Sequence, residues 1–388
     1  MRLKLDLTSL MSLGVVLTVL SFCSSQTIAS FCTMAMYVVW AIFAVILLKR
    51  GIQIDKRAFY MLFVFAVMTV AGRVFYSLGL YRSGGAGPAG FLIYCAIFYA
   101  VGFNFLPKDH RDLRRVVIAY VAAQIIFVLL GRSFGIEAKN QAGQVIGVGI
   151  IIELFYLPVL LDTKKKRYVS ILLGIVAIVF LFLIHSRAPF FAIILLGMFL
   201  LIRKQNKPFY YVLLIVAIVA FSMFSRTDVG NSLVYDFMQG DNRYSALTLD
   251  SIVSGRLGTY VSALKAFIRS PIIGVGGWYY VDSFSIHVLA TGGLLGGILL
   301  FPIAYGYLGH SILSAGERIK RIDPDVAEND SDYQIGYLCL LLSFYYLMIS
   351  FFEGYPPVGP RTSVFFLWIV TGMYSRSLAE NEIIGVKK

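Results

Sequence analysis

Apolar runs of about 17 to 22 residues recur along almost the whole chain, each long enough to cross a hydrocarbon layer about 30 Å thick as an α-helix. About twelve can be placed, centred near residues 16, 38, 68, 96, 122, 151, 176, 195, 216, 297, 344 and 368. Of the 388 residues 59% are hydrophobic and only 14% charged, too little polar surface to solvate a soluble domain of this size. In lipid every backbone N–H and C=O must be satisfied within the protein, which favours helices. The sequence therefore predicts an all-α, polytopic integral-membrane protein with about twelve transmembrane helices, forming a single domain over residues 1–388. Arg2 and Lys4 precede the first run, as in a signal peptide. Cys23-Ser24-Ser25-Gln26 is a poor cleavage site, however, and another span follows at once, so the first run reads as a retained helix.

The formal net charge is +13, from 34 Lys and Arg against 21 Asp and Glu. Lys and Arg gather in every second loop: Lys49-Arg50 with Lys56-Arg57, Lys108 to Arg115, Lys164 to Arg167, Arg203 to Lys207 and Arg318 to Arg321. Arg2/Lys4 and Lys387-Lys388 share that phase, whereas the loops around Ser24, Arg82, Lys139, Arg187, residues 225–287 and Glu353 are poorer in them. This is the positive-inside pattern, and it predicts that both termini face the cytoplasm and that the loop 225–287 faces outward. The basic excess is thereby explained by topology, without nucleic acid. Cys23, Cys32, Cys95 and Cys339 fall in or beside the spans, with neither disulfide nor zinc spacing.

Two loops are long. The cytoplasmic one, 309–332, is polar and mixed in charge, and its Asp323-Pro324-Asp325 reads as part of a solvated linker rather than a metal motif. The outer one is the candidate catalytic loop. From Ser254 onward it has a helical pattern, with Val261, Leu264 and Ile268 on one face and Lys265 and Arg269 reaching away from it. Pro271, Gly274 and Gly276 end the pattern, which predicts a short helix lying on the outer membrane surface.

The residues able to do chemistry lie along these outer segments. Ser254 is suited to cap the short helix, so that its N–H groups and the Arg256 guanidinium would meet a phosphate, although an arginine here could equally snorkel to lipid headgroups. Arg187 starts a helix after His185-Ser186, a second possible clamp. His287, where the polar loop re-enters a span, is the candidate general base, or else a hydrogen-bonded interfacial histidine. Lys139 and Asn140 open the sixth span, where Asn140 could bind a sugar hydroxyl or cap the helix. Gly354-Tyr355-Pro356-Pro357 with Arg361 forms the last outer loop, and Arg269 and Arg361 could bind substrate at the outer face. Glu153 lies deep in the sixth span, where a structural ion pair with Arg73 is expected. No phosphate-binding G-x-x-x-x-G-K-[ST] loop and no His/Cys/carboxylate metal spacing occurs, so neither an ATP motor, a metal nor another cofactor is expected.

The succession Ser254-Gly255-Arg256, Tyr260, Ala266-Phe267, Ser270-Pro271-Ile272-Ile273-Gly274-x-Gly276 and Ser285-Ile286-His287, followed by Thr291-Gly292-Gly293-Leu294-Leu295-Gly296, resembles the O-antigen polymerase and ligase superfamily of bacterial membrane glycosyltransferases. Lys139-Asn140 and Ser186-Arg187 resemble two further landmarks of that family. The matching motifs cover about a third of the chain. It departs at Tyr260, where the family often has Trp, and at Val288, where Asn commonly follows the His.

The resemblance implies a multi-pass protein of the bacterial cytoplasmic membrane. Such a protein would transfer glycan from undecaprenyl diphosphate to a sugar hydroxyl without a metal. Arg187 and Arg256 would hold the diphosphate and His287 would take the hydroxyl proton. The expected activity is polymerisation of lipid-linked repeat units for O-antigen (lipopolysaccharide), capsule or exopolysaccharide, with a lipid-linked donor and acceptor, membrane lipid, and a flippase and chain-length regulator as partners. A ligase of the same superfamily is the alternative within the class, and a lipid-linked oligosaccharide flippase or other transporter the alternative outside it.

Overall fold

A computed structural model describes residues 6–203, 232, 256–321 and 330–385, apart from gaps at 24, 106, 108, 131–135, 162, 278 and 360. Among the described residues the chain is helical throughout, without a strand. The first half comprises α1 (Leu7–Leu20), α2 (Gln26–Arg50), α3 (Lys56–Ser77), α4 (Leu92–Asn104), α5 (His110–Leu130), α6 (Ile136–Ile151), α7 (Leu157–Leu160), α8 (Lys164–Leu183) and α9 (Arg187–Arg203). The second comprises α10 (Arg256–Arg269), α11 (Phe284–Phe301), α12 (Leu308–Arg321), α13 (Ser331–Ile349) and α14 (Arg361–Gly385). Among the described residues eight helical segments are long and apolar enough to cross a membrane, and two shorter apolar helices, Leu7–Leu20 and Arg187–Leu201, accompany them. A helix covers every expected span centre except that near 216, which lies outside the described residues.

The local signals that start these helices are ordinary ones. Asp55, Thr163 and Asp330 each accept backbone N–H bonds at the first turn of the following helix. Two π-helical turns, Ile152–Tyr156 and Pro302–Tyr307, interrupt the helical ladder. Each adjoins or contains a proline, Pro158 or Pro302, which has no N–H to donate and widens the turn. The segment expected to become a loop at residue 309 is helical through Arg321. Its Leu308, Ser311 and Ala315 recur on one buried face, so the apolar stripe continues beneath a polar sequence.

Outward-facing side chains such as Phe31 (71% exposed), Leu129 (73%) and Ile298 (69%) leave a broad apolar surface of the kind that lipid covers. Inside, Phe365 and Phe366 of α14 pack against Tyr120 of α5, Phe365 also meets Phe98 of α4, and Trp368 of α14 is fully buried. Opposite ends of this bundle differ. One carries Arg57, Arg318 and Arg376, bonded to Ser375, to Asp332 and to Glu380 respectively. The other holds the turn at residues 350–359 from which α14 sets out, with α10 and the start of α11 beside it.

That second end is fastened by an exchange of backbone bonds. α11 breaks at Gly293, whose φ of 60° and ψ of −155° belong to a region open essentially to glycine alone. The loop after α10 fills the break. Leu294 and Leu295 donate to the carbonyls of Pro271 and Ile272 at 2.8 and 3.0 Å, and Val275 and Gly276 donate to Ala290 and Thr291 at 2.9 and 3.0 Å. A Cβ on Gly293 would stand 2.5 Å from the Ile272 carbonyl, and one on Gly274 (φ 74°) 2.4 Å from that of Thr291. Gly293→Ala should therefore destabilise the fold by at least about 1–3 kcal/mol from backbone strain alone. Thermal unfolding of the purified protein in detergent checks this, since an unchanged midpoint would mean that the break is not needed.

Candidate functional site

The turn after α13 provides three carbonyls that collect the pieces of the site. Ser350 O accepts from the Phe284 N–H at 2.9 Å, Phe352 O from Arg256 Nη1 at 2.8 Å, and Gly354 O from His287 Nδ1 at 2.8 Å. Gly354 is required where it stands, because a Cβ there would lie 2.1 Å from the Val281 carbonyl. One short turn thus brings the start of α10, the start of α11 and the end of α13 together.

Arg256, the first residue of α10, turns its guanidinium inward. Its Nε is 3.1 Å from Asp282 Oδ2 and its Nη2 is 3.6 Å from Glu353 Oε1, with only 15% of the side chain exposed. Tyr260, one turn along α10, donates to the Asp282 carbonyl at 2.8 Å and ties the helix to the same loop. Asn140 of α6 approaches from the far side, its Nδ2 3.5 Å from Glu353 Oε2. Glu353 is 3% exposed, and Oε1 has no hydrogen-bond partner among the described residues. Burial pushes the Glu353 carboxyl up to about 7, against the opposing pull of Arg256; Asp282 adds to the rise and the Asn140 bond lessens it. It is a carboxyl poised to gain or lose a proton near neutrality.

His287 is 1% exposed, and its ring lies between Tyr280 and Tyr355, with centroids at 5.4 and 5.2 Å. Its Nδ1 lies 2.8 Å from the Gly354 carbonyl, so that nitrogen carries a proton. Tyr279 also offers its backbone to the ring. One turn on, Thr291 Oγ1 donates to the His287 carbonyl at 2.7 Å.

The structure thus unites Arg256, Asn140 and His287, three of the residues expected from sequence. Arg187 begins α9 in a half-buried position, after His185 in the left-handed region (φ 54°). The preceding Ser186 is fully buried against Gly143, one turn along α6 from Asn140. The α8–α9 turn therefore abuts the helix that reaches Glu353. Lys139 is half-buried beside Asn140. Arg269 is exposed at the other end of α10, and α14 begins at Arg361. Ser254 and the part of the outer loop at 225–255, residue 232 apart, lie outside the described residues. The expected Glu153–Arg73 pair is absent: Arg73 lies exposed beside Gly84, and neither carboxylate oxygen of Glu153 has a hydrogen-bond partner among the described residues.

Sequence reasoning missed Glu353 and Asp282 as partners of Arg256, and Tyr280 and Tyr355 as walls for His287. Glu353 stood in plain view as an acid in an otherwise apolar stretch, Phe351-Phe352-Glu353-Gly354, where an ionisable group requires a partner. No protein-family model matches the chain, and no curated protein matches it.

The Glu353 carboxyl is expected to be protonated below about pH 7 and ionised above it. Because its folded value is raised, any stability it contributes is complete below the ordinary carboxyl range and is lost as pH rises through about 7. Infrared pH titration should reveal a protonated-carboxyl band that fades with that midpoint and is absent from Glu353→Gln. Arg256→Gln removes the opposing cation and should move the midpoint up; a move down would contradict the assignment.

Proposed function

We propose that this protein is a membrane glycosyltransferase that polymerises lipid-linked polysaccharide repeat units on the outer face of a bacterial cytoplasmic membrane. The observation that carries the reading is the buried Arg256–Glu353–Asn140 cluster with His287 bonded one residue further along the same turn. The motif resemblance around these residues supplies the reaction class. The twelve-span plan, read from the apolar runs, and the cytoplasmic termini, read from the charge alternation, belong to the same reading.

In the proposed reaction an acceptor hydroxyl oxygen forms the new bond to the anomeric carbon of the donor. The bond from that carbon to the diphosphate oxygen breaks, and its electron pair leaves with undecaprenyl diphosphate. Arg256 and Arg187 stabilise the charge that grows on the diphosphate, most effectively in a water-poor site. His287 takes the hydroxyl proton, and attack from the face opposite the leaving group inverts the anomeric centre. Glu353 holds Arg256 in place and, when protonated, leaves the guanidinium with Asp282 as its single ionised partner. Lys139, Asn140, Arg269 and Arg361 belong to the reading as substrate-binding groups, as does Ser254. Delivery to a lipid core, the ligase reaction, would use the same chemistry with a different acceptor.

One observation favours a carrier instead. Glu153 sits 1% exposed on a π-helical turn inside a span with both oxygens unpartnered among the described residues, as a proton- or ion-coupled site would require. Purified protein supplied with its lipid-linked unit in vesicles separates the two readings. Lengthened glycan made without an energy source supports the transferase, and movement of the unit without new glycosidic bonds supports the carrier.

In that assay His287→Ala should lower turnover about 10²–10⁴-fold, and Arg256→Gln about 10²–10³-fold. Near-parental polymer from a folded His287→Ala variant would remove His287 from the mechanism.

A further inference from the structure

α10 presents three faces with different tasks. Ala263 and Ala266 are buried, packing the helix onto the bundle with Tyr260. Leu257, Val261, Leu264 and Ile268 form an apolar stripe of which 45–72% stays exposed. Between these, Ser262, Lys265 and Arg269 recur at helical spacing along the edge of an open cavity of about 440 Å³. Arg82, from the connection between α3 and α4, lines the same cavity together with Leu80 and Tyr279.

Three cations thus border one cavity, and among the described residues no carboxylate lines it. Lys265 and Arg269 form no ion pair among the described residues, unlike Arg256, which is committed to Asp282 and Glu353. Nine to thirteen residues of helix separate Lys265 and Arg269 from Arg256, about 14–20 Å at the α-helical rise. The cavity is therefore a separate centre of positive charge. Its surroundings are amphiphilic. The exposed stripe of α10 continues into Ile272 (68% exposed), and Leu80 at the cavity is 56% exposed. A hydrocarbon chain could lie along that surface while an anionic head enters the cavity, where the arginines can hold phosphate oxygens in a forked geometry.

We infer that the cavity between Arg82, Lys265 and Arg269 is a binding site for the phosphate-bearing head of a membrane-embedded amphiphile, distinct from the Arg256 cluster. The site follows from charge and shape, and does not depend on glycosyl transfer. Two sources of the same chemistry exist, a prenyl diphosphate and an ordinary anionic phospholipid. Tyr279 borders the cavity and offers its backbone to His287, so the bound head would lie one residue from the His287 wall.

The test uses the full-length protein in a neutral detergent, with farnesyl diphosphate, a short-chain phosphatidylglycerol and inorganic pyrophosphate as separate probes, followed by calorimetry or native mass spectrometry. At least one of the two amphiphiles should bind more tightly than pyrophosphate. The double variant Lys265→Gln/Arg269→Gln should weaken that binding at least tenfold, and Arg82→Gln, on a different element, should weaken it independently. Lys265→Arg/Arg269→Lys should retain it. Preference for farnesyl diphosphate identifies a prenyl diphosphate site, and equal or tighter binding of phosphatidylglycerol identifies a lipid headgroup site. Unchanged amphiphile affinity in both Gln variants, with parental melting temperatures, overturns the inference, as does failure of both amphiphiles to bind the parent protein. Absence of glycan transfer by the parent protein, with these affinities intact, would count against the transferase reading alone.

Discussion

The structure at the site end depends on backbone groups that cannot be left unpaired in an apolar environment. A helix broken inside a membrane protein exposes N–H and C=O groups that water cannot reach, and each must find a partner in the protein. Here the break at Gly293 is closed by the loop 271–276, which lends two carbonyls and two N–H groups to α11. Tyr81 adds a bond from its hydroxyl to the Ile273 carbonyl. The arrangement fixes the end of α10 against the middle of α11. With Arg256 leading α10 and His287 in the first turn of α11, it also sets how far apart those two residues can be.

A buried arginine then decides the electrostatics. Taking a guanidinium out of water is tolerable only with an ionised partner, and Asp282 fills that need at 3.1 Å. Glu353 adds a second carboxyl to one guanidinium. With both acids ionised the trio carries one net negative charge, and with Glu353 protonated it carries none. An anionic ligand would meet repulsion in the first state and none in the second. The raised Glu353 value, about 7, puts the change between them near neutral pH. Arg256 is therefore not a bare cation awaiting phosphate. Its availability depends on the protonation of the acid beside it.

Much of the framework could be read from the chain because membrane helices advertise themselves through length and hydropathy alone, and every expected centre within the described residues falls in a helix. The amphipathic α10 was equally legible, since Val261, Leu264 and Ile268 repeat at helical spacing and do form its exposed face. What escaped were contacts between segments distant in sequence. Arg256 and Glu353 are 97 residues apart, and nothing in local pattern couples them. Pro271 to Gly276 looked like a helix stop and Thr291 to Gly296 like a Gly-rich span, although each is shaped to receive the other. The Glu153–Arg73 pair failed for the converse reason: two charges each inside a span need not face one another. The polar sequence after residue 309 concealed a helix because its buried face is made of Leu308, Ser311 and Ala315, two of them small residues that carry little hydropathy signal.

α10 finally links the Arg256 cluster and the cationic cavity through one rigid element. Its N-terminal arginine is tied into the turn 350–354, and the loop at its C-terminal end is stitched into α11. Its exposed stripe, Leu257 to Ile268, faces outward while Ala263 and Ala266 on the opposite side pack against the bundle. A short helix with a polar sequence and mean packing would slide or fray in that position, since isolated helices of this length are marginal in water. Being held at both ends makes it a fixed strut, so the spacing between Arg256 and the Lys265–Arg269 edge is a property of the fold. Two charged groups of one long amphiphile, or of two neighbouring ones, would then be measured against a constant distance.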